Sequence, residues 1–194
     1  MARTKCFNRE EALDKAMQAF WAKGYEATSI QDLVDCMGIN RGSLYDTFGD
    51  KHSLYLAALD QYGTGALLRT DVLRQKGDPR EILSKFMYVF TQKQVMDPKR
   101  RGCFMTNAAV ELCSRDDECA DRVRIFFEDM ETALKELIER GQREGEFKSK
   151  RDAASLAAFF VGVMQGIRVI GKVNPNEALL RPMVDVALTV LDSE

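Results

Sequence analysis

Histidine and tryptophan occur once each in 194 residues and proline four times, and neither sign of charge dominates, with 28 Lys and Arg against 30 Asp and Glu. Because His52 is the only imidazole, and no H-E-x-x-H, P-loop or G-x-S-x-G pattern occurs, the chain offers no convergent acid, base, nucleophile or phosphate cradle. Cys6, Cys36, Cys103, Cys113 and Cys119 are odd in number and lack the tight spacing of a zinc site, so reduced thiols are expected instead of a disulfide framework. Catalytic residues, metal ligands and cofactors are all expected to be absent. The longest apolar run, Ala153 to Ile170, is interrupted by Ser155, Gln165 and Arg168, too polar a pattern for a lipid-spanning helix. The N-terminal residues form no apolar leader. These absences predict a cytoplasmic protein with no membrane partner. No repeat and no low-complexity tract appears.

What the chain does contain is helical periodicity throughout, and no segment alternates like a strand. Asn8 and Glu11 have capping-box spacing before Leu13, Ala16, Met17 and Phe20, and Gly24 stops that helix. Thr28 or Ser29 caps a second helix with Ile30, Leu33 and Val34 inward, ended by Gly38. Asn40 caps a third, in which Leu44 and Phe48 share one face and Arg41 and Tyr45 another. Asp50 opens a fourth that is expected to fade into a bend near Gly63 and Gly65. Acidic pairs such as Glu10-Glu11 and Asp116-Asp117 read as helix starts favoured by the macrodipole. Further helices are predicted after Asp78-Pro79, from about Gly102, over Glu118 to Glu144, after Asp152, and from Asn176 to Leu191 with Pro182 beginning a second part.

Two short helices joined by a tight turn spell helix-turn-helix, whose second helix enters the major groove of duplex DNA. The exposed face of that helix should then be small or hydrogen-bonding, and Arg41, Gly42, Ser43 and Tyr45 fit, with Thr47 a candidate phosphate contact. Gly42 weakens a helix by roughly 1 kcal/mol relative to alanine, yet lets backbone approach base edges. Thr28, Ser29 and Lys51 stand at helix starts, where backbone N–H groups and a cation suit a phosphate. Arg3 and Lys5 could form a basic arm or a disordered terminus. Against DNA binding, residues 1–62 carry seven Lys and Arg and nine Asp and Glu, so any affinity must come from local placement.

Residues 8–62 resemble the N-terminal domain of the tetracycline-repressor (TetR) family of bacterial transcription regulators, through Phe20, Gly24, Thr28, Ile30, Leu33, Gly38, Gly42, Leu44, Tyr45, Phe48, Lys51 and Leu54 in order. Asp46 and Thr47 depart from the histidine or aromatic residue common before the phenylalanine. The resemblance implies an all-α homodimer whose three-helix N-terminal domain binds a near-palindromic DNA operator and whose larger C-terminal domain binds a small-molecule effector that releases it. The domains are expected at 1–50, with a connecting helix at about 51–65, and at 66–194.

For dimerisation the pattern offers Gly162, Val163, Gly166, Ile167 and Ile170 with Met183, Val184, Ala187 and Leu191, either as a four-helix seam between copies or as internal core. Candidate ligand-lining residues are Phe90, Cys103, Asn107, Phe126, Met130, Phe160 and Met164, with Gln165 or Arg168 as further polar choices. Gly102-Cys103 and Asn107 also resemble a segment beside the pocket in one broad TetR subgroup. Cys103, following Arg100 and Arg101 at a helix start, would be a reactive thiol if exposed and a packing residue if buried. A helical protein-interaction adaptor and a regulator sensing oxidants or electrophiles through Cys103 are the alternatives to a ligand-released repressor.

Overall fold

The computed structural model describes residues 7–192, and for residues 67–69 the backbone alone. Arg3, Lys5 and Cys6 lie outside the described residues. Those described form nine α-helices and one short 3-10 turn, with no strand among them. The helices are α1 Arg9–Lys23, α2 Ile30–Met37, α3 Arg41–Phe48, α4 Lys51–Thr70, α5 Pro79–Met96, α6 Phe104–Glu111, α7 Asp117–Glu144, α8 Ala153–Val173 and α9 Glu177–Thr189. The expected bend near Gly63 and Gly65 does not occur, because α4 runs through both. Glycine weakens a helix without forbidding it, and packing outweighs that preference here. Likewise Pro182 sits inside an uninterrupted α9.

The chain divides into two compact units, Met1–Gly65 with Phe104–Val123, and Ala66–Cys103 with Arg124–Glu194. In the first, Phe104–Val123, which the sequence assigned to the larger domain, joins the N-terminal helices. A ring cluster shows why: buried Tyr55 meets buried Phe20 and half-buried Tyr25 with centroids 5.0 Å away in each case, and buried Phe104 at 5.4 Å, all inclined edge to face. Such pairs add to the burial of large apolar area. Burial drives the Tyr55 phenol far above its usual pKa, so it stays neutral.

Polar ties repeat the same docking. Glu111 Oε2 accepts the N–H of Tyr25 at 3.0 Å and Oε1 that of Glu26 at 2.9 Å, so one carboxylate on α6 closes the loop between α1 and α2. Gly24 is required beside it, since its φ is +86° and a Cβ there would meet Glu111 Oε2 at 2.7 Å. Arg115 pairs with Glu26 at 2.8 Å, and Arg122 with Asp60 at 3.1 Å.

In the second unit, α5, α8 and α9 pack on one another around buried Leu83, Met87, Leu156, Phe160, Met164, Ile167, Leu180 and Val184. The α8 helix has a mean hydropathy of 1.7 over its most apolar window, enough by length and composition to cross a bilayer, so the three polar residues do not disqualify it as the sequence suggested. Its buried face instead lines this core, while Phe159, Val169, Ile170 and Val173 stay exposed along the opposite side.

Replacing Glu111 by Ala leaves two backbone N–H groups without their acceptor. Urea denaturation should show a loss of about 1–3 kcal/mol, with the far-ultraviolet spectrum of the native state unchanged.

Candidate functional site

The turn between α2 and α3 is built by its caps. Ser29 Oγ accepts the N–H of Asp32 at 3.0 Å while Asp32 Oδ2 accepts that of Ser29 at 2.9 Å, a reciprocal capping box. Lys23 hydrogen-bonds Asp32 at 2.6 Å, and this bond, ahead of those from Ser29, holds the Asp32 carboxyl far below its usual range. Gly38 ends α2, and Asn40 Oδ1 accepts the N–H of Ser43 at 2.8 Å to start α3.

Leu44 and Phe48 point α3 into the core, and Arg9 lies over the Phe48 ring at 5.2 Å. The opposite face presents Arg41, Gly42, Tyr45 and Asp46 to solvent, with Ser43 and Thr47 half-buried at its edges. Tyr45 is 43 % exposed, a large ring without a core to fill. A Cβ on Gly42 would meet Asn40 Oδ1 at 3.3 Å and no other described atom within 4 Å, apart from its own helix. The one close contact a Cβ would make there is with the side chain of the Asn40 cap.

At the start of α4, Asp50 Oδ1 accepts the N–H of Ser53 at 2.7 Å. Lys51 Nζ lies 4.3 Å from the centre of the Tyr25 ring, which holds the cation beside the helix start. Ser29 is exposed at the start of α2, but Thr28 is not: it is fully buried, and its hydroxyl donates to Gly24 O at 2.6 Å. As the fold stands, a phosphate contact through the Thr28 side chain is thus replaced by an internal one. His52 is likewise committed, with Nε2 at 2.8 Å from Asp116 Oδ2. Burial pushes Asp116 upward, but the N–H of Cys119 and the imidazole outweigh it, so the carboxyl ends below its usual pKa.

The candidate ligand residues separate. Asn107 falls in the first unit, whereas Phe90, Cys103, Phe126, Met130, Phe160 and Met164 belong to the second. Met130, Phe160 and Met164 share its buried core, with Phe90 packed against it. Cys103 is only 2 % exposed, which answers the conditional reading of a reactive thiol with burial. The dimer seam also changes. Ile167, Val184, Ala187 and Leu191 are buried in their own unit, while Phe159, Gly162, Ile170, Val173, Leu179 and Val186 remain exposed. The sequence assigns Glu111 no role and reads Asp116 only as part of a helix start. Neither sits in a motif, and their partners lie 86 and 64 positions away.

Comparison with known proteins agrees with this architecture. Residues 12–58 match the family model "Bacterial regulatory proteins, tetR family", and residues 79–185 match "Tetracyclin repressor-like, C-terminal domain". The chain belongs to the TetR family of transcriptional regulators. It is 32% identical to the regulator YezE of Bacillus subtilis (strain 168) over 99% of this chain and 100% of YezE. It is 29% identical to the transcriptional repressor ComR of Escherichia coli (strain K12) over 97% of this chain and 90% of ComR. Among solved structures, a cysteine mutant of the TetR-family regulator CifR bound to 26-base-pair operator DNA superposes with a TM-score of 0.84 at 29% identity, covering 96% of this chain and 98% of that one.

The thiols differ enough in environment to be told apart chemically. Cys36 is exposed, whereas Cys119 is buried and pushed up to about 12, first by burial and then by Cys113, whose Sγ is 3.9 Å away. Iodoacetamide at pH 8, followed by peptide mass spectrometry, should label Cys36 first and leave Cys103 and Cys119 unmodified. Cys119 should react about a thousandfold slower than in denatured protein.

Proposed function

We propose that this chain is a repressor that binds a near-palindromic DNA operator as a homodimer in the cytoplasm and is released by a small-molecule effector, with no enzymatic activity of its own. The observation that carries the DNA-binding part is α3. Its core face is filled by Leu44 and Phe48, and its other face presents Arg41, Gly42, Ser43, Tyr45 and Thr47 where the protein supplies no partner surface. With side chains this small at Gly42 and Ser43, the backbone can reach the floor of a major groove, where Arg41 and Tyr45 address base edges and phosphates. Ser29 at the start of α2 and Lys51 at the start of α4 flank this face as phosphate contacts. Asp46 faces the solvent on the same helix and must avoid phosphates, which restricts how α3 can lie.

Two copies are needed because successive major grooves on one face of the duplex recur every 34–36 Å or so. The exposed apolar residues of α8 and α9, Phe159, Ile170, Val173, Leu179 and Val186, support pairing through the second unit, and Gly162 on the same stripe lets a partner helix come close. CifR's complex with operator DNA and ComR's description as a repressor favour the same reading. The apolar core of the second unit, with Phe90, Met130, Phe160 and Met164 together, supports an effector site there. Such an effector must bind the DNA-incompetent arrangement more tightly than the competent one. Burial of Cys103 favours this ligand reading over thiol sensing at that residue.

Sequencing of duplexes that the protein selects from random DNA tests the proposal, and enrichment of no two-half-site sequence would sink it. Gly42→Ala should fold with a stability within about 1 kcal/mol of the parent, since helix preference and crowding of the Asn40 cap oppose each other. Its affinity for the selected duplex, measured by fluorescence anisotropy, should nevertheless fall by about tenfold or more. Lys51→Ala should weaken every duplex alike and reduce the slope of log K against log salt by about 0.9.

A further inference from the structure

A cation lies among the apolar side chains of the second unit. Arg168, on α8, is only 8 % exposed, although arginine is among the residues least often buried without a charged partner. Its neighbours on the same buried face of α8 are Met164, Ile167 and Gly171, which line a core built mainly of apolar side chains. The guanidinium touches two groups. Nη1 donates to Gln165 Oε1 at 3.3 Å, and its carbon stands 4.8 Å from the centre of the Phe90 ring on α5. Among the described residues no carboxylate pairs with it. The arginines paired at the surface, such as Arg74 with Glu136 and Arg122 with Asp60, hold their carboxylates with side chains 31–60 % exposed, and the less exposed Arg101 is paired with Asp97. Arg168 is thus a buried arginine without a carboxylate, whereas even the partly buried Arg101 has one.

That arrangement is unfavourable for folding alone. A guanidinium has five N–H donors in a rigid fork, and one hydrogen bond to an amide plus one aromatic face satisfies only part of it. An unpaired buried charge destabilises a protein more than a hydrophobic residue of similar volume would. The fork instead matches a carboxylate, which it grips through two parallel hydrogen bonds. We propose that Arg168 is the anchor for an anionic effector, a small organic monocarboxylate whose apolar body lies against Phe90 and Met164 while Gln165 orients the guanidinium. One cation in hydrocarbon surroundings suits one negative charge attached to an apolar group, and not a phosphate dianion. This deepens the effector reading given above and rests on it.

The test uses full-length protein, the selected duplex, and three acids, benzoate, phenylacetate and hexanoate, each beside its primary amide. Thermal unfolding and release of labelled duplex are read together. At millimolar concentration at least one acid should raise Tm and release DNA, while its amide does neither. Arg168→Met should abolish the response to the acid, leave DNA affinity unchanged, and raise Tm without ligand by about 3 °C. Arg168→Lys, which keeps the charge but not the fork, should respond at least about tenfold more weakly. An amide as effective as its acid, or a response that survives in Arg168→Met, overturns the anionic anchor while leaving the effector reading intact. Silence of all three acids on the wild-type protein, or a lower Tm for Arg168→Met, overturns it too. The effector reading itself fails separately, if a library of charged and uncharged compounds releases no DNA in the same assay.

Discussion

The carboxylate of Glu111 accepts two adjacent backbone N–H groups, those of Tyr25 and Glu26, just beyond the end of α1. Those donors lie in the loop that sets the direction from α1 into α2, and through α2 the position of α3. A helix of eight residues, as α2 and α3 both are, has too few internal hydrogen bonds to persist by itself. Its geometry is inherited from what holds its ends. Glu111 fixes the entry to α2 from outside, the Ser29 and Asp32 box fixes its start, and Asn40 fixes the start of α3. The ring cluster around Tyr55 supplies buried apolar area between the same elements.

A consequence is that the DNA-facing unit is not a contiguous stretch of chain. The segment Phe104–Val123 contributes five contacts to it: Phe104, Asp116 and Arg122 meet Tyr55, His52 and Asp60 of α4, and Glu111 and Arg115 meet the loop after α1. Any event that displaces α6 would withdraw several supports of α3 together, without touching the outward face of α3. The lone histidine has a structural use in that set, joined to Asp116 across 64 positions of sequence.

The second unit separates two demands on one helix. On one side, α8 contributes Leu156, Phe160, Met164 and Ile167 to a core that closes against α5 and α9. On the other, it leaves Phe159, Ile170 and Val173 exposed, where a soluble monomer would gain nothing from apolar groups. Arg168 belongs to the first side by burial and to neither by chemistry. A residue that weakens local packing without an evident structural return is where function is to be sought.

The sequence by itself determined the helical class, most helix ends and the outward face of α3, because caps, glycine stops and a spacing of three to four residues are local signals written within a few positions. Asn8, Ser29, Asn40, Asp78, Asp152 and Asn176 each accept the helix N–H groups their positions implied. Tertiary structure alone decided that α4 continues through its glycines, that Thr28 turns inward, that Cys103 is buried, and that Ile167, Val184, Ala187 and Leu191 fill their own core while their neighbours stay exposed. It alone brought α6 to the N-terminal helices. The reason is the same in each case: a helical pattern shows which residues share a face but not what that face meets, and the partner is chosen by packing between segments tens of residues apart.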